Sequence, residues 1–187
     1  QRTARRPLAI PRLGETQIVN QKVIFEQDGF VAVPGFCHAG ELKVLEAELA
    51  RFIAERIPTL PAEHVFYEDK VDAGTLKQIQ RVHEHDEYFG EFFEGKPKRL
   101  AEELLGEVVV GKNLQYFNKP HALGQATPPH QDGFYFMLEP CRALTMWMAL
   151  DVVDEENGCM RYVRHSHKRG MRPHGRTQTL GFSQSIS

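Results

Sequence analysis

Within the stretch TPPHQDGFYFML, His130 and Asp132 stand on either side of a single glutamine. A neutral imidazole nitrogen and a carboxylate oxygen are two of the three groups of the facial triad that holds Fe(II) on one face and leaves other positions open. In an extended strand residues i and i+2 project to the same side, so the two side chains can address one point. Phe134 and Phe136 would continue on that side and give the metal a dry wall, a candidate substrate pocket. The bland alternative is a polar turn ahead of a core strand. His-x-Asp occurs too often by chance to decide between them.

Other chemistry-bearing residues are less well arranged. HEHDE, residues 83–87, offers His83 and His85 as a rival metal site, but it lacks the HExxH spacing of a zinc hydrolase and reads better as a solvated segment capping the next helix. His38, His64 and His121 sit in polar, loop-like surroundings with no specific role indicated. Ser166, between His165 and His167, has no GxSxG around it, and no P-loop or GxGxxG gives nucleotide chemistry a foothold. Cys37, Cys141 and Cys159 form no CxxC pair; a reducing cytosol is the simplest setting, which predicts a cytoplasmic protein.

The elements that must position these residues change character along the chain. Residues 1–20 read as an extended basic arm, with Arg2, Arg5, Arg6 and Arg12 and no acid in the first dozen positions. A short helix ending at the Asp28-Gly29 turn and a strand over residues 30–33 follow. Leu42, Leu45, Leu49, Phe52 and Ile53 recur at helical spacing and predict a helix over residues 39–56, closed by Pro58 and Pro61. A strand near residues 76–82 and helices over 87–93 and 98–105 are expected next. From residue 107 the grammar becomes that of strands: 108–117, 133–138, 143–153 and 159–163, with a hairpin signal at residues 154–158. In the third of these, Leu144, Met146, Met148 and Leu150 share one face. Thr145 and Trp147 lie on the other, which suits a ligand cavity, although a plain amphipathic strand would show the same alternation. Helices first and strands later predict an α+β domain with helices on one side of an antiparallel sheet. The Pro/Gly-rich loop over residues 120–129 is expected to move and cover the site.

Bulk properties confine the class. The chain has 187 residues, 41% hydrophobic and 26% charged, with formal net charge −2. That length suits one domain, residues 21–187 after the arm. The balance gives no footing to nucleic-acid binding, and no apolar run reaches the roughly 18 residues of a membrane span. A small-molecule partner is expected; the oligomeric state is left open.

With these features in place, residues 118–174 closely resemble the phytanoyl-CoA dioxygenase (PhyH) family. The motifs that carry the likeness are Asn118-Lys119-Pro120, His130-Gln131-Asp132, Trp147, Glu156-Asn157-Gly158-Cys159 and Ser166-His167-Lys168. QDGFVAVPGF extends the likeness more loosely toward the N-terminus. The resemblance implies a double-stranded β-helix, the jelly roll of cupin-like proteins, with N-terminal helices packed on the barrel. It implies an Fe(II)- and 2-oxoglutarate-dependent oxygenase that uses O2 to hydroxylate a small-molecule C–H bond and releases succinate and CO2. It assigns His130 and Asp132 as catalytic iron ligands, and Gln115, Asn118 and Trp147 to the 2-oxoglutarate pocket, with Thr145, Phe134 and Phe136 toward substrate. In related halogenases a small residue replaces the carboxylate; Asp132 is present here, which favours hydroxylation.

The family pattern then breaks. Only 55 residues follow Asp132 (187 − 132), and the family's distal histidine ligand and the arginine that grips 2-oxoglutarate have no counterpart among them. His165, His167 and His174 are the only later histidines, and each reads as a surface or turn residue. The expectation is a domain whose C-terminal strands lie outside this sequence. The alternatives are a catalytically silent binding protein of the same fold and a cupin-like metalloprotein using another divalent ion without 2-oxoglutarate.

Overall fold

The computed structural model describes residues 15–187 except 121, 122, 124, 125, 180 and 181, with side chains described from residue 20 onward. The predicted leucine stripe forms α2 (Ala39–Glu55). His38 caps it: its Nδ1 accepts from the Glu41 amide at 3.1 Å, while Glu41 Oε2 accepts from the His38 amide at 2.9 Å. That reciprocal pair satisfies two of the amides a helix start leaves orphaned. The stripe buries Leu45 and Phe52 against the rest of the core.

Before α2 lies α1 (Glu15–Asp28), and after it β1 (Val65–Tyr67), β2 (Leu76–Ile79), α3 (Val82–His85), α4 (Glu87–Glu94) and α5 (Lys96–Leu105). β3 (Tyr116–Phe117), α6 (Asp132–Phe136), β4 (His174–Arg176) and β5 (Gln184–Ile186) follow. β1, β2 and β3 form one antiparallel sheet with β2 in the middle; β4 and β5 form a separate antiparallel hairpin. The fold is a mixture of helices and small antiparallel sheets.

The core sits where α2, β2, α3 and α4 meet. Phe52, Ile79 and Val82 are almost entirely withdrawn from water, and the Phe52 and Phe89 rings meet edge to face at 5.5 Å. Each such side chain contributes roughly 1.5–3 kcal/mol of burial. Leu100, Ala101 and Leu104 of α5 are buried as well, and α5 packs against α1 and α4. Asp86 joins two helices: its carboxylate caps α4 by accepting from the Tyr88 and Phe89 amides and also accepts from Arg51 of α2 at 2.8 Å. The central strand β2 is buried at all four positions. Its Lys77 pairs with Glu68 at 2.7 Å, both side chains under 10% exposed, which satisfies a charge that would otherwise be costly there.

Several expectations are corrected. The arm was expected to run to residue 20, but α1 already begins at Glu15; residues 1–14 lie outside the described residues. Residues 30–33, 143–153 and 159–163 join no ladder, and of 108–117 only Tyr116–Phe117 does. In 143–153 the alternation persists in part: Met148 and Leu150 pack against the core and Thr145 and Trp147 are exposed, Trp147 at 46%, but Met146, expected on the buried face, is 38% exposed. Alternation fixes which face a segment buries; a strand also needs a neighbour to bond, and none of the described strands forms a ladder with this segment. The candidate cavity face is thus open among the described residues. Residues 132–136 are a helical turn rather than a strand, ended by Met137 in the left-handed region at φ 52°. Phe134 and Phe136 therefore do not share a side, because two residues of helix turn the chain by about 200°. The described strands, two small sheets, do not themselves close a barrel.

Candidate functional site

His130 stands two positions before α6, and Asp132 opens that helix after the extended Gln131 at the N-cap. The change of backbone direction brings the two side chains together, with His130 Nε2 3.0 Å from Asp132 Oδ1. The other ring nitrogen, Nδ1, lies 2.8 Å from the Pro128 carbonyl, which can only accept, so Nδ1 carries the proton. A backbone carbonyl holding one imidazole N–H is the usual outer support of a metal-binding histidine, because it fixes the tautomer and leaves Nε2 for the ion.

The electrostatics follow from that contact. Its hydrogen bond to Asp132 raises the His130 imidazole above its ordinary range, with partial burial opposing and the Pro128 bond assisting. The same bond to His130 holds the Asp132 carboxyl below its ordinary range; burial opposes this and the Thr145 hydroxyl adds to it. Around His130 stand the rings of Phe182 at 4.9 Å and Tyr135 at 5.9 Å, and Phe182 in turn meets Phe117 of β3 at 6.2 Å. This aromatic line connects the His130 segment to the core sheet.

The donor set fits a divalent ion. Two donors each about 2.1 Å from an ion, at right angles, stand about 3.0 Å apart, and the observed separation equals that value. One nitrogen and one carboxylate oxygen suit Fe(II) chemically. Among the described residues no group of three or more His, Cys, Asp or Glu gathers to hold a metal, so His130 and Asp132 form a two-donor candidate.

The remaining sequence candidates fall in three places. Gln115 and Asn118 turn to the central sheet: Gln115 Oε1 accepts from Gln78 Nε2 at 2.7 Å, and Asn118 Nδ2 donates to the Leu76 carbonyl at 2.9 Å. Trp147 is exposed on the outer face of the 143–153 segment, while Thr145, on the same face, brings its hydroxyl to the Asp132 carboxylate. Phe134 stacks on His174 at 4.2 Å, with 16° between the rings, and Phe136 is half-buried. Two of the motifs noted in the sequence meet across 39 positions, where Lys119 Nζ donates to the Gly158 carbonyl at 2.8 Å. Gly158 has φ +92°, and a Cβ there would lie 2.5 Å from Lys119 Nζ. The expected cover loop includes residues 121, 122, 124 and 125, which lie outside the described residues, as does His121.

The other histidines acquire places that the sequence did not disclose. His64 Nδ1 meets His85 Nε2 at 2.9 Å, and HEHDE does supply the Asp86 cap of α4. His165 and His167 donate to the Gln27 and Glu26 carbonyls at the end of α1, where Arg164 also pairs with Asp28. His174, expected to be a surface or turn residue, reaches the His130 segment: its Nε2 accepts from the Gln131 amide at 3.1 Å. No local signal marks that contact, which spans 43 positions.

A model of the phytanoyl-CoA dioxygenase (PhyH) family matches residues 25–184, and the chain belongs to that family. The peroxisomal phytanoyl-CoA dioxygenase of Mus musculus is 24% identical over 168 residues, covering 83% of this chain and 49% of the mouse protein. Phytanoyl-CoA dioxygenase domain-containing protein 1 of the same species is 26% identical over 188 residues, covering 79% of this chain and 64% of that protein. A phytanoyl-CoA dioxygenase of Arabidopsis thaliana is 30% identical over 119 residues, covering 57% of this chain and 42% of the plant protein. The chain thus spans between about two fifths and just under two thirds of the length of these curated relatives. No described helix is long and apolar enough to cross a membrane.

Proposed function

We propose that this chain carries the iron-binding part of an Fe(II)- and 2-oxoglutarate-dependent dioxygenase that hydroxylates a small-molecule C–H bond and releases succinate and CO2. The single observation that supports this most is the His130–Asp132 pair, with Nδ1 occupied by Pro128 and Nε2 turned to the carboxylate. His130 and Asp132 would hold the metal. Bound Fe(II) with 2-oxoglutarate supplies the activation of O2, chemistry that no side chain here performs alone.

The protein's own contribution is placement and shelter. The Pro128 carbonyl keeps one His130 proton on Nδ1, so loss of the Nε2 proton that faces Asp132 would leave the Nε2 lone pair for an ion without a tautomer change. Asp132 stays charged across the neutral range because His130 holds its carboxyl low. Phe182 and Tyr135 shield the imidazole, lowering water access on that side. Gln115, Asn118 and Trp147 are proposed for the 2-oxoglutarate pocket, and Thr145, Phe134 and Phe136 for the substrate side. The double-stranded β-helix is the proposed architecture of the whole domain. Cys37, Cys141 and Cys159 are free thiols, which suits a reducing compartment such as the cytosol.

A second reading draws on the same contact. At 3.0 Å the imidazole and carboxylate already satisfy each other as an ion pair, as they would in a metal-free binding protein of this family. Anaerobic addition of Fe(II) and then 2-oxoglutarate separates the two. The dioxygenase reading expects saturable binding of both and, on admitting O2, succinate release with a panel of small-molecule substrates. A chain that binds neither overturns it.

A further inference from the structure

The segment between the two proposed ligands is held by the C-terminal hairpin through a set of bonds that the family reading does not itself require. Gln131 Nε2 donates to the Gly170 carbonyl at 3.1 Å, and Gln131 Oε1 accepts from the Arg172 amide at 2.7 Å. The Gln131 amide donates to His174 Nε2 at 3.1 Å. His174 Nδ1 lies 2.8 Å from the Arg172 carbonyl and must donate there, so Nε2 is free to accept. Both ring nitrogens are thereby committed, and only the Nδ1–H tautomer satisfies both bonds. The His174 ring also stacks on Phe134. On either side, Ile186 of β5 donates to the Pro129 carbonyl at 2.7 Å and the Tyr135 hydroxyl donates to the Gln184 carbonyl.

We infer that His174 is a positioning residue, which fixes the backbone between His130 and Asp132 by accepting from the Gln131 amide and so presets the distance between the two proposed ligands. The inference rests on reading His130 and Asp132 as ligands. Its physical basis is local: Gln131 is the peptide unit about which the His130 and Asp132 side chains would separate. Its amide is otherwise one of the orphan donors at the start of α6. A ring pinned by a stack and by its second nitrogen holds that amide in one direction. Outer supports of this kind change metal affinity by about 10- to 100-fold when removed.

Two variants of the full chain test it. His174→Phe keeps a ring to stack on Phe134 and removes the acceptor; His174→Gln drops the ring and returns an acceptor near the position of Nε2. Nitrogen NMR of the unaltered chain is expected to show His174 protonated on Nδ1 alone and the Gln131 amide protected from hydrogen exchange. In H174F that protection is expected to vanish and the Fe(II) dissociation constant to rise about 10- to 100-fold, while H174Q recovers most of both. A fast-exchanging Gln131 amide in the unaltered chain, or a folded H174F that binds Fe(II) as tightly, would overturn the role of His174. An unaltered chain with a protected amide and no Fe(II) binding overturns the ligand reading instead. The tautomer and exchange measurements need no variant, so a poorly folded H174F leaves the inference open to refutation.

Discussion

His130 Nε2 stands 3.0 Å from Asp132 Oδ1, and the two residues reach this contact across a change from extended to helical backbone at Gln131. The contact is both a candidate pair of metal ligands and, without metal, an ion pair. Its behaviour with pH follows from the direction of each shift.

For His130 the folded value is raised above its ordinary 6.5, so its contribution to stability is complete below 6.5 and is lost as pH rises through the folded value. For Asp132 the folded value is lowered below 3.8, so its contribution is present above 3.8 and is lost as pH falls through the folded value. The metal-free chain is therefore expected to draw most stability from this pair between about pH 4 and 6.5, with a decline on each side. Urea unfolding across pH, compared with Asp132→Asn, measures it. The variant is expected to lose this part of the profile; an identical profile would show that the pair is not formed in solution.

Asp86 caps α4 and accepts from Arg51, with its side chain 3% exposed. Asp86→Ala removes the cap and leaves the Arg51 guanidinium without this partner, so a loss of about 1–3 kcal/mol is expected in denaturant unfolding. Asp86→Asn keeps a capping oxygen and is expected to recover part of it. A loss below about 0.5 kcal/mol for the alanine variant would contradict the role.

Phe52 has no measurable exposure and meets Phe89 edge to face at the centre of the core. Phe52→Ala is expected to cost about 3–5 kcal/mol, against under about 1.5 kcal/mol for Phe52→Leu. Equal, small losses would move the core elsewhere.

Gly158 combines φ +92° with the close approach of Lys119. Gly158→Ala is expected to destabilise by about 1–3 kcal/mol, through backbone strain and displacement of the Lys119 bond. Lys119→Met, which removes the bond but not the glycine, should cost less. The reverse order would show that the contact, rather than the backbone, demands glycine here.

What the sequence disclosed divides along a physical line. The helical half was legible because Leu42, Leu45, Leu49, Phe52 and Ile53 repeat with helical period and bury one stripe, which is a local property. A strand was expected near β2's observed position, over residues 76–82, but β1 was not, because Val65–Tyr67 is three residues long and owes its strand to pairing with β2. The segment 143–153 shows the converse: its faces were read from alternation, yet its ladder was not there to be read, since a hydrogen-bonding neighbour is not encoded in the segment itself. The strand expected over residues 133–138 is a helical turn over Asp132–Phe136 instead, and so short a run cannot distinguish a period of 2 from a helical turn. At the candidate site the spacing of His130 and Asp132 was visible, whereas Pro128, His174 and Phe182 come to it through backbone geometry and long-range contacts that no spacing announces.

The most direct measurement of the central claim is an anaerobic Fe(II) titration of the full chain, with and without 2-oxoglutarate, set beside Asp132→Ala. The expected result is saturable Fe(II) binding, strengthened by 2-oxoglutarate, that falls at least about tenfold in D132A while the circular dichroism and melting transition stay close to those of the unaltered chain. Equal Fe(II) binding by the unaltered chain and a folded D132A would contradict the assignment of the carboxylate as a ligand.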